Sequence, residues 1–407
     1  MKILHTADWH LGKRLQEFSR FEEQVAVMEE IIEIADAELV DLVLVAGDIF
    51  DSFNPSHDAV ELLFKTLRRL SKNGKRPVIA ISGNHDSTQF VEAPDPLARE
   101  MGIFFYSRYD TCIPMGKLEN GLEVTASEPG FVELTIPGIP FPVRIILAPY
   151  ANEALLKVYL GENDREAQLR TLLGEKWSGI GQRHCSPHGV NLFVGHFFFV
   201  KEGETAEAEP ESERPILHVG GTQALFTHQV PGCIQYAALG HLHRYHAVSQ
   251  NPPMVYSSSP LAYSFSEADQ QKQVVIIDVI PGEAATYRPV GLMKGRTLCR
   301  QTFDNLEDTL EWLEKNPNCF VELTFITEHS IDASTRKAIM KAHDGIINLI
   351  PQIKNPQGTP WNELQVEDLG KDMATLFGMY YQSEKGIPPN AAIQDLFKEI
   401  ISQKDSI

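Results

Sequence analysis

The chain has 407 residues, of which 43% are apolar and 22% are charged, and its formal net charge is −19 at pH 7. This composition is typical of a globular protein of two or three domains and excludes a disordered or fibrous chain. The excess of acidic residues excludes a nucleic-acid binder that relies on charge alone, since such proteins carry an excess of Lys and Arg. Any polyanionic ligand would have to be met by metal ions, by a local basic patch or by a partner.

The five cysteines are scattered along the chain and form no CxxC pair. This spacing indicates reduced thiols in the cytoplasm, and it argues against a secreted disulfide framework or a zinc ribbon. The first residues, MKILHTADWHLG, contain only a short apolar step and are not expected to act as a signal peptide. We expect no membrane association, because the sequence lacks an apolar run of about eighteen residues.

Short apolar runs alternate with helical stretches over the first part of the chain. The runs are rich in Val, Ile and Leu and too short for helices, which is typical of buried strands: Lys2–Thr6, Asp41–Ala46, Pro77–Ser82, Val143–Ala148, Asn191–Val194, Ala237–Leu239 and Gln273–Ile280. Between the second and third runs, apolar residues at helical spacing predict a helix that ends at Gly74. This alternation of strands and helices predicts the α/β class.

Two changes of pattern divide the chain into three predicted parts. Residues 1–285 carry the strands described above, and residues 286–350 follow as a small α/β unit in the order strand, helix, strand, helix. Residues 351–407 begin with the proline-rich segment PQIKNPQGTPWN, which indicates a linker, and continue with two amphipathic helical patterns. Two short helices cannot form a core alone, so they must dock either on this chain or on a partner.

Polar side chains end five of the predicted strands, mostly behind a glycine. In open α/β sheets, sites form outside the carboxyl ends of the strands, so we expect these residues to converge although they are distant in sequence. The strand ends read Asp8-Trp9-His10, Gly47-Asp48, Gly83-Asn84-His85-Asp86, Gly195-His196 and Gly240-His241-Leu242-His243.

The side chains at these strand ends offer a mixed set of oxygen and nitrogen ligands, which suits Mn, Fe or Zn. Asp48 is the natural bridge between two ions, because a carboxylate has two oxygens. Two divalent cations would clamp the attacking and leaving oxygens of a displacement at phosphorus and would lower the pKa of a bound water. The seven candidate metal ligands are Asp8, His10, Asp48, Asn84, His196, His241 and His243.

Two further residues of the GNHD segment are candidate catalytic residues. His85 is placed to donate a hydrogen bond to a phosphoryl oxygen or a proton to the leaving group, and Asp86 is the expected partner that orients it. Lys13, Arg14 and Arg20 follow closely after the first strand end and are candidates for contacts with a substrate phosphate backbone.

The ordered set DWH, GDIFD, GNHD, GH and GHLH resembles the signature of the calcineurin-like metallophosphoesterases. The longer segments ILHTADWHLG, VAGDIFD, SGNHDS, ALGHLHR and YSSSPLAYSFSEAD resemble the SbcD-type DNA exonuclease subunits of that superfamily, over nearly the whole chain. The chain departs from the family in one place: Ser258 precedes Ser259-Pro260, where the family usually has a glycine.

The resemblance implies a metallophosphoesterase β-sandwich flanked by helices, a small α/β capping domain that binds DNA, and a C-terminal helical tail that grips an SbcC-like, SMC-type ATPase. It implies two Mn²⁺ ions, and it makes His85 the catalytic histidine. The residues that match the first metal site are Asp8, His10, Asp48 and His243, and those that match the second are Asp48, Asn84, His196 and His241.

The implied activity is double-strand exonuclease and single-strand or hairpin endonuclease cleavage of DNA. The resemblance places this activity in a cytoplasmic, nucleoid-associated homodimer that works in DNA repair, recombination and replication. Two alternatives stay open from the sequence. One is a small-molecule or nucleotide phosphodiesterase of the same fold, and the other is a catalytically silent scaffold.

Overall fold

The computed structural model describes residues 1–156, 165–203, 224–328 and 331–353, together with short stretches between 375 and 397. The chain forms two compact units, Met1–Arg296 and Thr297–Ile407. Most of the predicted linker and amphipathic tail, residues 351–407, lies outside the described residues. Within the short described stretches of the tail, the rings of Phe377 and Phe397 stack with centroids 3.8 Å apart. No helix among the described residues is long and apolar enough to span a membrane.

The first unit consists mainly of two β-sheets and the helices that cover them. Its strands in chain order are β1 (Lys2–Thr6), β2 (Arg14–Leu15), β3 (Phe18–Ser19), β4 (Leu42–Ala46), β5 (Val78–Ile81), β6 (Ile103–Tyr106), β7 (Gly116–Lys117), β8 (Glu123–Glu128), β9 (Phe131–Thr135), β10 (Val143–Ala148), β11 (Val190–His196), β12 (Phe199–Val200), β13 (Leu225–Phe226), β14 (Tyr236–Gly240), β15 (Tyr245–Gln250), β16 (Pro253–Ser257), β17 (Gln273–Asp278) and β18 (Thr286–Gly291). Its α-helices are α1 (Phe21–Ala37), α2 (His57–Leu70), α3 (Thr88–Glu92), α4 (Asp95–Glu100), α5 (Glu153–Leu156) and α6 (Arg165–His184).

Both large sheets combine parallel and antiparallel strands: the six-stranded sheet is antiparallel at its β18 edge only, and the eight-stranded sheet at both edges. The six-stranded sheet has the order β18-β17-β1-β4-β5-β6, in which β1, β4, β5 and β6 are parallel. The eight-stranded sheet has the order β15-β16-β14-β11-β10-β9-β8-β7, in which β10, β11, β14 and β16 are parallel. The carboxyl ends of β1, β4 and β5 therefore lie along one edge of the first sheet, and those of β11 and β14 along one edge of the second.

Strand β4 shows how the layers pack, because its alternate side chains enter two different cores. Val43 and Val45 pack with the helices α1 and α2, whereas Leu42 and Leu44 pack against the second sheet. Helix α6 covers the outer face of the second sheet and buries Trp177 there. The result is a helix–sheet–sheet–helix sandwich, which confirms the predicted metallophosphoesterase fold class.

The first unit extends beyond the boundary predicted at residue 285. Strand β18 pairs in antiparallel register with β17, from Gln273 opposite Gly291 to Asp278 opposite Thr286. These backbone hydrogen bonds make β18 the edge of the six-stranded sheet, and the unit ends only at Arg296. The sequence pattern missed this edge strand because four of its six residues are exposed and it lacks a long apolar run.

The second unit contains a three-stranded parallel sheet of order β19-β20-β21 with two helices. Its elements are β19 (Thr297–Phe303), α7 (Leu306–Lys315), β20 (Cys319–Thr327), α8 (Ala333–Ala342) and β21 (Ile346–Ile353). Asn305 and Asp332 cap the two helices by accepting hydrogen bonds from first-turn N–H groups. The unit does not end at residue 350 as predicted, because Pro351 lies within edge strand β21, where a missing N–H group is tolerated.

Candidate metal centre

The seven predicted ligand residues lie together where the two sheets of the first unit bring their strand ends close. The first sheet supplies four of them on the loops after β1, β4 and β5, and the second supplies three at the ends of β11 and β14. All seven are buried, with at most 6% of any residue exposed: Asp8, His10, Asp48, Asn84, His196, His241 and His243.

Asp48 occupies the middle of this cluster. Its Oδ2 atom lies 3.4 Å from His10 Nε2 and also 3.4 Å from His196 Nε2. The His10 Nε2 atom in turn lies 3.0 Å from His243 Nε2. One oxygen of Asp48 therefore faces two groups of imidazole nitrogens, as a bridging carboxylate would.

The second group of nitrogens surrounds the side-chain oxygen of Asn84. Its Oδ1 atom lies 2.9 Å from His196 Nε2 and 3.1 Å from His241 Nδ1. Asp8 lies on the other side, within 4.8 Å of the His10 and Asp48 ligand atoms. Its Oδ1 accepts a hydrogen bond from the His241 backbone N–H at 2.8 Å, so it ties the two strand ends together.

Outer hydrogen bonds fix which nitrogen two of these histidines present. The His196 Nδ1 atom donates to the Ala46 carbonyl at 2.8 Å, so its Nε2 atom carries the lone pair. The His243 Nδ1 atom lies 3.3 Å from the Glu267 carboxylate, which likewise turns the Nε2 atom toward His10. Both rings thus direct a lone pair toward Asp48 and its neighbours.

Four residues of the cluster have a strained backbone conformation. Asp8, His10, Asp48 and His241 all have positive φ values, of 54°, 43°, 47° and 105°. Left-handed backbone is costly for residues with a Cβ atom and is concentrated at functional sites. Close approach adds a second constraint, since a Cβ atom on Gly83 would lie 2.1 Å from Asp48 Oδ1.

The charges and unpaired atoms of the cluster fit divalent cations. Burial raises the pKa of Asp8 to about 7, with the nearby Asp48 contributing. Burial also acts on Asp48, but the neighbouring His196 and His85 outweigh it and hold its pKa well below the usual range. Among the described residues, the buried Oδ2 atom of Asp8 has no hydrogen-bond partner. Buried carboxylate oxygens beside imidazole nitrogens fit a bound cation, and this donor set suits transition metals.

His85 lies at the edge of the cluster with one nitrogen available for chemistry. Its backbone N–H donates to Asp48 Oδ1 at 2.9 Å. Its ring packs edge-on against the ring of His10, with the ring centroids 4.8 Å apart. Its Nδ1 atom lies 3.2 Å from the Asp51 carbonyl, which can only accept a hydrogen bond. Nε2, which is buried and has no partner among the described residues, is therefore the atom that can receive or deliver a proton.

Asp86 does not orient His85, contrary to the prediction. Its carboxylate accepts three backbone hydrogen bonds, from Ile49 at 3.0 Å, Phe50 at 2.9 Å and Gly83 at 2.8 Å. It therefore joins the loop after β4 to the loop after β5 and holds Asp48 and Asn84 in register. The carbonyl of Asp51 takes the orienting position beside His85.

The three predicted phosphate-contact residues have different surroundings. Arg14 is exposed, and Lys13 is partly exposed with its Nζ atom 2.6 Å from Asp51. Arg20 is 1% exposed, and its guanidinium group binds Glu23 and the Ala262 carbonyl. The prediction is therefore wrong for Arg20, because a buried and fully bonded guanidinium cannot reach a phosphate group.

Glu267 and Lys272 support the centre and were not predicted. Glu267 Oε2 accepts from Lys272 Nζ at 2.6 Å, while its Oε1 atom lies beside His243. Lys272 Nζ also donates to the His243 carbonyl at 2.7 Å, and both side chains are at least nine-tenths buried. The segment Ser264–Glu267 shows a Ser-x-x-Glu pattern that predicts a capped turn, but not the partner of its carboxylate.

A family model described as calcineurin-like phosphoesterase matches residues 1–245 of the chain. A protein of Bacillus subtilis (strain 168), named as the SbcD subunit of the nuclease SbcCD, is 32% identical over 413 aligned residues, which cover 99% of this chain and 98% of the relative. The chain belongs to the SbcD-type calcineurin-like phosphoesterases. The resemblance noted in the sequence is thereby confirmed.

Further proteins and solved structures are similar to this chain. A Rhodobacter capsulatus protein of the same name is 33% identical, over 71% of this chain and 69% of the relative. Two solved structures each align with 72% of this chain at 11% identity. They are TT1561 of Thermus thermophilus, with 99% of that chain covered and a TM-score of 0.36, and a dimetal phosphatase from Danio rerio, with 97% covered and a TM-score of 0.37. Membership of this family makes the chain a metal-dependent phosphoester hydrolase built on the sandwich described above.

Proposed function

We propose that this chain is the nuclease subunit of an SbcCD-like complex and hydrolyses DNA phosphodiester bonds with two divalent metal ions. The observation that carries the proposal is the position of Asp48 between two groups of imidazole nitrogens, with His85 beside it. The similarity to a protein named as a nuclease subunit extends over 99% of the chain and supports DNA as the substrate.

The proposed ligands of the first ion are Asp8, His10, Asp48 and His243, and those of the second are Asp48, Asn84, His196 and His241. The short distances within each group support this division. When bound, the two ions, which we propose to be Mn²⁺, would supply a Lewis acid for the phosphoryl oxygens and an acidified water.

The chain's own residues position the reaction. Asp86 and Gly83 hold the loops that carry Asp48 and Asn84, and the Asp51 carbonyl holds Nδ1 of His85, so that Nε2 is the nitrogen left for chemistry. In its protonated state, His85 Nε2–H donates to a phosphoryl oxygen or gives its proton to the leaving oxygen. Burial of the cluster excludes bulk water and strengthens these interactions.

The net charge of −19 means that DNA must be held mainly by other means. We propose that an SbcC-like ATPase supplies most of the DNA contacts and that the C-terminal tail binds this partner. Arg14, which is exposed, and Lys13 remain the proposed phosphate contacts of this chain. A homodimer that acts in the cytoplasm in DNA repair, recombination and replication completes the proposal.

The activity is tested with end-labelled duplex and hairpin DNA, with MnCl₂ or EDTA, in the presence and absence of the ATPase subunit. Wild-type chain should cleave with Mn²⁺ only. His85→Asn and Asp48→Asn should each lose cleavage by about 10²-fold or more, since the first removes the proposed proton donor and the second the carboxylate proposed to hold both ions. His188→Asn is the matched control, because His188 is exposed.

Two other results would contradict the proposal in different ways. Cleavage of bis(p-nitrophenyl) phosphate without cleavage of any DNA substrate would indicate a small-molecule phosphodiesterase. No Mn²⁺-dependent cleavage that these variants remove would indicate a silent scaffold. The partner is tested separately by truncation after Ile353, which preserves β21 and should abolish binding of the ATPase.

A further inference from the structure

Two cysteines of the first unit are neighbours in space although they are far apart in sequence. Cys185 lies just after the end of α6, and Cys233 lies on the segment that leads into β14. Both line one cavity of about 370 Å³. Cys233 is exposed and Cys185 is partly buried, so Cys233 is the thiol that solvent reaches more readily.

The backbone around the two thiols is held by a buried asparagine. The Asn191 side chain donates to the Ser186 carbonyl at 3.0 Å, beside Cys185. The Asn191 backbone exchanges hydrogen bonds with Gln235, near Cys233, at 2.9 and 3.0 Å. One residue thus fixes the segments that carry both cysteines, so their proximity is a property of the fold and not of two loose loops.

Gly181 allows the two segments to approach this closely. A Cβ atom at this position would lie 3.1 Å from Pro231 Cβ and 3.2 Å from Cys233 Sγ, which is tighter than ordinary contact. The Gly181 carbonyl also accepts from the Cys185 N–H at 3.0 Å, one helical turn further on. The sulfur of Cys233 therefore rests against the helical turn that ends at Cys185.

We propose that Cys185 and Cys233 are a thiol pair that peroxides oxidise to a reversible intrachain disulfide. The Cys233 thiolate attacks one oxygen of a hydroperoxide, which leaves Cys233 as a sulfenic acid and releases an alcohol or water. The Cys185 sulfur then attacks the Cys233 sulfur, its thiol proton goes to the departing hydroxyl group, and water leaves. In sum, two thiols lose two hydrogens and the peroxide is reduced by two electrons.

The environment assigns the two roles. The neighbouring Cys185 thiol lowers the pKa of the Cys233 thiol to about 7, whereas Cys233 and burial raise the pKa of Cys185. The exposed thiol is thus the more acidic one, as an attacking thiol should be, and the buried thiol is the resolving one. The disulfide would join the segments that precede β11 and β14, at the end opposite to His196 and His241. This inference does not rest on the proposed function.

The test treats the full-length chain with a small excess of hydrogen peroxide and counts free thiols in denaturant. Wild-type chain should fall from five thiols to three, with a tryptic crosslink between the Cys185 and Cys233 peptides that dithiothreitol reverses. Cys185→Ser should instead give a sulfenic acid on Cys233 that dimedone traps. Cys112→Ser, the matched control at another exposed cysteine, should still lose two thiols.

Each contrary result would overturn the proposal. Cys233 could accumulate as a sulfinic acid in wild-type chain while Cys185 stays reduced, which would show that the pair does not close. A disulfide crosslink between two chains would also show that the pair does not close within one chain. Melting of the reduced variants beforehand verifies that each one is folded.

Discussion

Replacement of Glu267 by Gln tests the metal centre from outside its ligands. The Glu267 side chain is 2% exposed, holds Lys272 at 2.6 Å and lies 3.3 Å from His243 Nδ1. The amide leaves the Lys272 ammonium buried without its counter-charge, which should lower the free energy of unfolding by about 3–5 kcal/mol. It also weakens the group that orients His243, so Mn²⁺ affinity should fall by about 10–100-fold.

The two effects are separated by a second variant and a control. Glu267→Gln combined with Lys272→Met removes both charges and should recover most of the lost stability in urea, but not the Mn²⁺ affinity measured by calorimetric titration. Glu29→Gln, which breaks the exposed pair with Arg69, should change unfolding by about 1 kcal/mol or less and leave Mn²⁺ binding unchanged. Full recovery of Mn²⁺ affinity in the double variant would refute the view that Glu267 orients a ligand.

Three further predictions concern the ions, the loops and a buried arginine. Removal of metal with EDTA should lower the unfolding temperature, and Mn²⁺ at about one hundred times its Kd should restore about 2.7 kcal/mol of stability, as measured by thermal melts; an unchanged melt would contradict metal binding. Gly83→Ala should displace Asp48 and reduce Mn²⁺ binding in the same titration, whereas Gly232→Ala, where nothing lies within 4 Å, should leave it unchanged. Arg20→Ala should lower the free energy of unfolding in urea by about 3–5 kcal/mol, because it breaks a buried ion pair. Arg14→Ala should lower DNA affinity in filter binding without loss of stability. If Arg20→Ala instead lowered DNA affinity and left stability unchanged, Arg20 would again be a candidate DNA contact.

The sequence was sufficient to predict where the candidate site lies. Parallel strands of one sheet end along one edge, so the Asp, Asn and His residues that follow β1, β4 and β5 could be expected to meet, as could those that follow β11 and β14. The sequence did not show that these strands form two sheets, whose edges the fold brings together. Glycines before several of these residues marked tight turns with close backbone contacts. The apolar runs also predicted that the central strands of both large sheets are buried, because a strand covered on both faces is apolar along its whole length.

The hydrogen-bond partners of individual side chains could not be predicted in this way. Asp86 lies next to His85 in the chain, but its carboxylate turns to three backbone N–H groups that only the folded loops bring within reach. Arg20 is withdrawn from solvent by the Ala262 carbonyl, which is 242 residues away. The pairing of Cys185 with Cys233 likewise depends on the packing of α6, which no local spacing reveals.

The central claim is that Asp48 bridges two ions, and anomalous diffraction from crystals grown with MnCl₂ tests it most directly. The account predicts two anomalous peaks per chain in the cluster, one on the side of His10 and His243 and the other on the side of Asn84 and His196. Asp48→Asn crystals should lose at least one of the two peaks. A single peak, or peaks only outside this cluster, would contradict the account.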